Sequence, residues 1–163
     1  MDYWLNRTPL MKNDFIIRDY KNTDKDSVLN LIRLNTPNYF SVNEEKDLDF
    51  YLENEIDYYY VIEINQQIVG SGGINFKNNK SIGVISWDMI DPDFQGKTFG
   101  SALLNYRIEK LKQCPEVQQI IVRTSQLANQ FYEKNGFSLI EIVEDYWDKG
   151  YHLYSMKYTK SIV

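Results

Sequence analysis

The sequence predicts an α/β domain in which a mixed sheet is covered by helices. Segments rich in β-branched and aromatic residues alternate with segments whose apolar residues recur at helical spacing, and the chain closes on a pair of strand-type segments. A length of 163 residues, 43% hydrophobic and 25% charged, suits one domain with a single core.

The elements follow in order. Strand signals begin at residues 15–18, so residues 1–13 read as an N-terminal extension to a domain spanning 14–160. Thr23-Asp24-Lys25-Asp26 reads as a capping box with Thr23 as N-cap, opening a helix that buries Val28, Leu29, Leu31 and Ile32. Residues 35–40, with Pro37, Tyr39 and Phe40, form a loop. A second box, Ser41-Val42-Asn43-Glu44, starts a short helix carrying Leu48, Tyr51 and Leu52 above an acidic outer face. Residues 58–64 form a strand, Asn65-Gln66-Gln67 a turn, and residues 68–74 its hairpin partner. A turn at Asn78-Asn79-Lys80 precedes a strand over 82–90. Phe99, Leu103, Leu104, Ile108 and Leu111 mark a helix over 99–111. A strand is expected over 117–122, whose end, Ile120-Ile121-Val122, shows no polar alternation, as in a strand buried on both faces. A helix over 126–134 stops at Asn135-Gly136, where glycine supplies a left-handed residue. Strands over 137–143 and 151–158, joined around Asp148-Lys149-Gly150, complete the order β-α-α-β-β-β-α-β-α-β-β.

Composition excludes several classes of function. One cysteine, Cys114, rules out an intrachain disulfide and a cysteine-based metal site, and with His152 the only histidine a His-rich metal centre is not expected. No apolar run reaches the length of a membrane span, and residues 1–14 lack the apolar core of a secretory signal, so a cytoplasmic protein is expected. A net charge of −5 argues against nucleic acid and suits a cationic substrate such as an amine. The 13 tyrosines supply phenols that can line a pocket as well as fill a core.

The stretch with chemical content is Ile90-Asp91-Pro92-Asp93-Phe94-Gln95-Gly96-Lys97-Thr98-Phe99-Gly100-Ser101. A strand ends, a glycine-containing turn follows, and an amphipathic helix begins at once. Such a junction directs free backbone N–H groups and a helix dipole at one spot and suits an anion. Gly96-Lys97-Thr98 copies the end of a P-loop, but the opening glycine of that motif would fall on Asp91, whose carboxylate repels phosphate.

The chain resembles the GNAT acetyltransferases, whose coenzyme A signature is [RQ]-x-x-G-x-[GA]. Gln95 and Gly100 match its two ends, Thr98 replaces its middle glycine, and Pro92 and Phe94 match the residues preceding it. Ala128, Phe131-Tyr132-Glu133-Lys134 and Gly136-Phe137 match a second block of the family, in the expected order. The resemblance covers roughly residues 14–160 and implies a mostly antiparallel sheet, acetyl-CoA as cosubstrate, no metal, and a small amine or peptide as acceptor. It implies that the pyrophosphate sits on the amides of Gln95, Gly96, Lys97, Thr98, Phe99, Gly100 and Ser101. The pantetheine arm would then pair with the strand end at Met89 and Ile90, with Ser125 and Asn129 as further coenzyme contacts. A monomer or homodimer is expected.

Thr98 admits three readings. It is a β-branched residue strained by positive φ, or a side chain that crowds a phosphate, or an N-cap for the helix at Phe99 whose hydroxyl can also donate to phosphate, and the last is preferred.

Direct attack of an amine expels a thiolate, which a phenol can protonate, and the resemblance gives that role to Tyr132. The amine needs a base, because an alkylamine with pKa about 10.4 is protonated at neutral pH. Asp88, a carboxylate inside an apolar strand, is the candidate base, with Glu63 as rival. His152 reads as a surface or pocket-wall residue. Tyr39, Phe40 and Trp147 are candidate acceptor contacts, in a groove that the resemblance places between the first two helices and the last two strands. A non-catalytic acyl-CoA sensor or an interaction module is the alternative.

Overall fold

The computed structural model describes residues 10–12 and 15–163, with side chains from Phe15 onward. Its elements are β1 (Leu10–Lys12), β2 (Phe15–Asp19), α1 (Lys25–Leu34), α2 (Glu44–Asn54), β3 (Tyr58–Ile64), β4 (Gln67–Lys77) and β5 (Ile82–Ile90), then α3 (Phe99–Lys112), β6 (Gln119–Thr124), α4 (Asn129–Lys134), β7 (Phe137–Asp148) and β8 (Tyr151–Tyr158). Most of the expected extension, residues 1–9 and 13, lies outside the described residues. Its residues 10–12 pair antiparallel with β2.

The strands form one eight-stranded sheet in the order β1-β2-β3-β4-β5-β6-β8-β7. Every neighbouring pair is antiparallel except β5 and β6. Strand alternation separates two cores. On β3, Tyr60 and Ile62 pack with Leu103, Leu104 and Ile108 of α3, whereas Tyr59 and Val61 pack with Val28, Ile32, Leu48 and Leu52 of α1 and α2. The sheet is therefore covered on both faces there. β6 alternates more than its sequence suggests: Ile120 and Val122 are buried and Ile121 is half-buried.

Local chemistry explains most boundaries. Asn65 and Gln66, at φ 48° and 65°, make the doubly left-handed turn that suits a two-residue hairpin. The first expected capping box is displaced. Thr23 lies in a 3-10 turn, and Asp24 instead accepts from the Lys21 amide (2.8 Å) and from Arg18 (2.8 and 3.0 Å). In the second box Glu44 reaches back to the Ser41 amide (2.7 Å), as that pattern requires. β7 runs five residues past its expected end, with a register break between Val143 and Asp148 where Asp145 takes φ 52°.

The feature that builds a site is a parting of two strands. β5 and β6 pair only from Ile82↔Gln119 to Ile85↔Val122, yet β5 continues to Ile90. Trp87 at φ 51° and a register shift between Ser71 and Gly73 mark a bulge that turns β5 away. A wedge opens between the two strands beyond Ile85.

Candidate active site

Three junctions meet at a cavity beyond the ends of β5 and β6: the end of α1, the turn from β5 into α3, and the turn from β6 into α4. A cavity of about 460 Å³ is lined by Leu34, Asn35, Asn38 and Tyr39 from the first, Pro92 and Gln95 from the second, and Leu127 from the third.

The β5–α3 turn is held from outside its own sequence. Asn35, buried at the end of α1, donates to the Ile90 carbonyl (3.0 Å) and accepts from Gln95 Nε2 (2.9 Å). Gln95 also donates to the Ile90 carbonyl (3.1 Å). The side chain of Gln95 thus fixes the turn. Asn35 was invisible to sequence reasoning, because a polar residue after a helix is ordinary. The Asp91 amide bonds back to the Val69 carbonyl of β4 (2.8 Å), so by strand alternation the amide of Ile90 points into the wedge. Met89 is buried against α1 and α2.

The first backbone bond of α3 runs from the Ala102 amide to the Thr98 carbonyl (2.9 Å). Among the described residues none accepts from the amides of Gly96, Lys97, Thr98, Phe99, Gly100 or Ser101 through the backbone. These donors and the positive end of a 14-residue helix suit an anion. Gly96 (φ 72°) lies open to solvent, and Lys97 projects over the Phe94 ring at 5.6 Å. Gly100 packs closely on α4: a Cβ there would stand 3.3 Å from the Phe131 ring, a tight contact. Phe99 packs edge-on against Phe15.

Thr98 corrects the sequence reading. It occupies the N-cap position, but at φ 70° and ψ 0°, with no side-chain cap bond. The strained alternative is the one realised: a β-branched residue stands in left-handed backbone that costs about 1–2 kcal/mol. Thr98→Gly should therefore raise Tm by about 2 °C, part of the relief being offset by the looser unfolded chain. Calorimetric affinity for coenzyme A should hold or improve. A marked loss of affinity would make the Thr98 hydroxyl a required phosphate contact.

Tyr132 and Asp88 are brought together. The Tyr132 hydroxyl donates to Asp88 Oδ2 at 2.6 Å, from α4 onto β5. Asp88 Oδ1 forms an ion pair with Arg107 of α3, a residue with no exposed surface. Arg107 also donates to the carbonyls of Gly73 (3.0 Å) and Leu103 (3.2 Å). Burial and the adjacent Asp88 carboxylate push the Tyr132 phenol well above its ordinary pKa, so it stays protonated at neutral pH. Burial works against the charge on Arg107, but Asp88 outweighs it and the guanidinium stays protonated. The signal for Arg107 was present in the sequence: it is a charge inside the apolar stripe of α3, which calls for a buried partner of opposite sign.

The other expected residues are dispersed. Glu63 pairs with Arg18 at 2.7 Å, on the far side of β4 from the wedge. Ser125 is buried and its hydroxyl accepts from the Leu127 amide (3.2 Å), while Asn129 begins α4 and donates to Glu133 (3.3 Å). Phe40 stacks on Trp87, and the Trp147 indole donates to the Thr124 carbonyl (3.0 Å) at the end of β6. His152 accepts from the Asp145 amide (2.9 Å) within the β7–β8 hairpin. The α1–α2 loop is clasped to that hairpin: Ser41 and Asn43 donate to Asp148, and Tyr151 donates to the Pro37 carbonyl (2.8 Å).

The profile of one family, described as "Acetyltransferase (GNAT) domain", matches residues 27–160. No curated protein matches the chain. Similar solved structures include an acetyltransferase of the GNAT family from Desulfovibrio desulfuricans, with 15% identity, 91% of this chain and 99% of that one covered, and TM-score 0.75. An aminoglycoside 6'-N-acetyltransferase complexed with coenzyme A gives 14% identity, coverage of 90% and 97%, and TM-score 0.71. A spermidine N-acetyltransferase variant from Vibrio cholerae gives 16%, 90% and 94%, and 0.67. At these identities the likeness is one of fold.

Proposed function

The chain belongs to the GNAT acetyltransferase family, and on that premise we propose that it transfers the acetyl group of acetyl-CoA to a primary amine of a small molecule or peptide, by direct attack in a ternary complex. The observation that carries this reading is the Tyr132–Asp88 hydrogen bond at the wedge between β5 and β6, beside the free amides that open α3. Those amides would take the pyrophosphate. Each bond to a charged oxygen contributes about 1.5–3 kcal/mol. The arm of the coenzyme would extend along Met89 and Ile90 toward Tyr132.

The protons balance through the carboxylate–phenol pair. The ammonium releases one proton to water, and the neutral amine attacks the thioester carbon. As the C–N bond forms, the second N–H proton passes to Asp88. As the C–S bond breaks, the thiolate takes the Tyr132 proton. Asp88 then returns its proton to Tyr132 across the 2.6 Å bond. Amide and free thiol leave, and the protein is restored.

Residues 14–160 form the catalytic domain in this proposal. The acceptor would enter beside Tyr39, Phe40 and Trp147. The aminoglycoside and spermidine specificities of two structural neighbours support an amine as acceptor. A second reading, an acyl-CoA sensor without turnover, is favoured by the burial of Tyr132, 4% exposed. Acetyl-CoA binding followed by thiol release with an amine separates the two: a sensor binds and releases none.

A further inference from the structure

Four arginines fall among the residues with described side chains, and three of them face a carboxylate: Arg18 pairs with Asp24 and Glu63, Arg33 with Glu45, and Arg107 with Asp88. Arg123 does not. Among the described residues no carboxylate lies within ion-pair distance of it, although the chain carries 23 acidic residues. Its guanidinium is held instead by two rings, 4.9 Å from the Tyr146 centroid and 5.5 Å from that of Trp147. Trp147 is itself fixed by its bond to the Thr124 carbonyl. The two rings, perpendicular to each other, order a flexible side chain, and among the described residues none accepts a hydrogen bond from its guanidinium, which can read a carboxylate.

The position of Arg123 gives this free fork a purpose. Val122 is the last residue of β6 paired with β5, so Arg123 is the first on the open edge of the wedge. Val122 packs into the core beneath α3, and alternation sends Arg123 to the opposite face, the one that carries α1 and α2 and where Trp87 packs. Tyr132 and Asp88 close the wedge from the α3 side, and Arg123 borders it from the acceptor side.

We propose that Arg123 is a specificity-determining residue that binds a carboxylate on the acceptor, so that the substrate is a small amine that also carries a carboxylate, an amino acid in the broad sense. The inference rests on the acetyl-transfer reading, and it narrows the acceptor from any cationic amine to a zwitterion. Removal of the carboxylate charge leaves the guanidinium edge without its partner, which lowers affinity for the amide of the same compound.

The test is a titration of the full chain, with and without saturating coenzyme A, using phenylacetate and phenylacetamide as probes and Trp fluorescence as readout. The wild type should bind phenylacetate saturably and about ten-fold or more tightly than phenylacetamide. Arg123→Gln should erase that difference and Arg123→Lys should retain part of it, with coenzyme A affinity unchanged in both. Equal binding of the two probes by the wild type, no saturable binding of phenylacetate, or a preference that survives Arg123→Gln would overturn the proposal. Failure to bind coenzyme A would instead remove the acetyl-transfer reading while leaving the carboxylate comparison measurable on the free protein.

Discussion

Replacing Arg107 with methionine is expected to cost about 3 kcal/mol of stability, seen as a fall in Tm on the order of 10 °C. Methionine fills much of the same volume, so little of this loss is packing. The loss comes from Asp88, whose oxygen is left facing the interior of α3 and β4 without its counter-charge. Breaking a buried pair by removing one partner costs about 3–5 kcal/mol; the lower figure applies here because the Asp88 side chain keeps 18% exposure. The double variant Arg107→Met with Asp88→Asn removes both charges and should recover most of the loss. Thermal unfolding of the three proteins decides the matter. If the single variant loses less than about 1 kcal/mol, Asp88 is solvated by water and the ion pair does not hold the site together.

Tyr132→Phe should lower kcat by about 10²–10⁴-fold, the usual worth of a positioned acid. Phenylalanine preserves the ring contacts with Phe131 and Phe137, at 5.0 and 5.7 Å between centroids. It removes the donor to Asp88, so a stability loss of about 1.5 kcal/mol should accompany the rate loss. Coenzyme A affinity should not change, since the Tyr132 hydroxyl is engaged by Asp88 and not by the α3 amides. Steady-state thiol release beside a coenzyme titration distinguishes the outcomes. Full kcat in the variant would make Tyr132 a packing residue and leave protonation of the thiolate to water. A joint loss of coenzyme affinity would make the hydroxyl structural.

The sheet was legible wherever burial writes a clear pattern. Strands β3, β5 and β8 begin and end where the sequence places them, because β-branched and aromatic runs there meet turn residues on both sides. β7 outran its expected end because its last residues, Glu144 to Asp148, lie on the edge of the sheet formed by the described residues, where little apolar patterning is demanded. α4 begins later than expected since Gln126 to Ala128 are taken up in a turn around Ser125. Within the site, the motif residues and the pair Tyr132 and Asp88 could be named from sequence. Their direct bond could not, because it joins elements 44 residues apart. Thr98 shows how a position rule can mislead: threonine is a good N-cap in extended backbone, but this turn needs a left-handed residue at the same place. Asn35 and Arg123 owe their roles to what folds beside them, and nothing in their local sequence announces it.

Acetyl-CoA is the partner on which every proposed step depends, and calorimetric titration of the wild-type chain, followed by thiol detection in the same sample after addition of an amine, tests that dependence most directly. The account predicts saturable binding, a Tm that rises with ligand, by about 2.7 kcal/mol of stabilisation at one hundred times Kd, and free thiol once a suitable amine is present. A flat titration and an unmoved Tm at millimolar acetyl-CoA would contradict it.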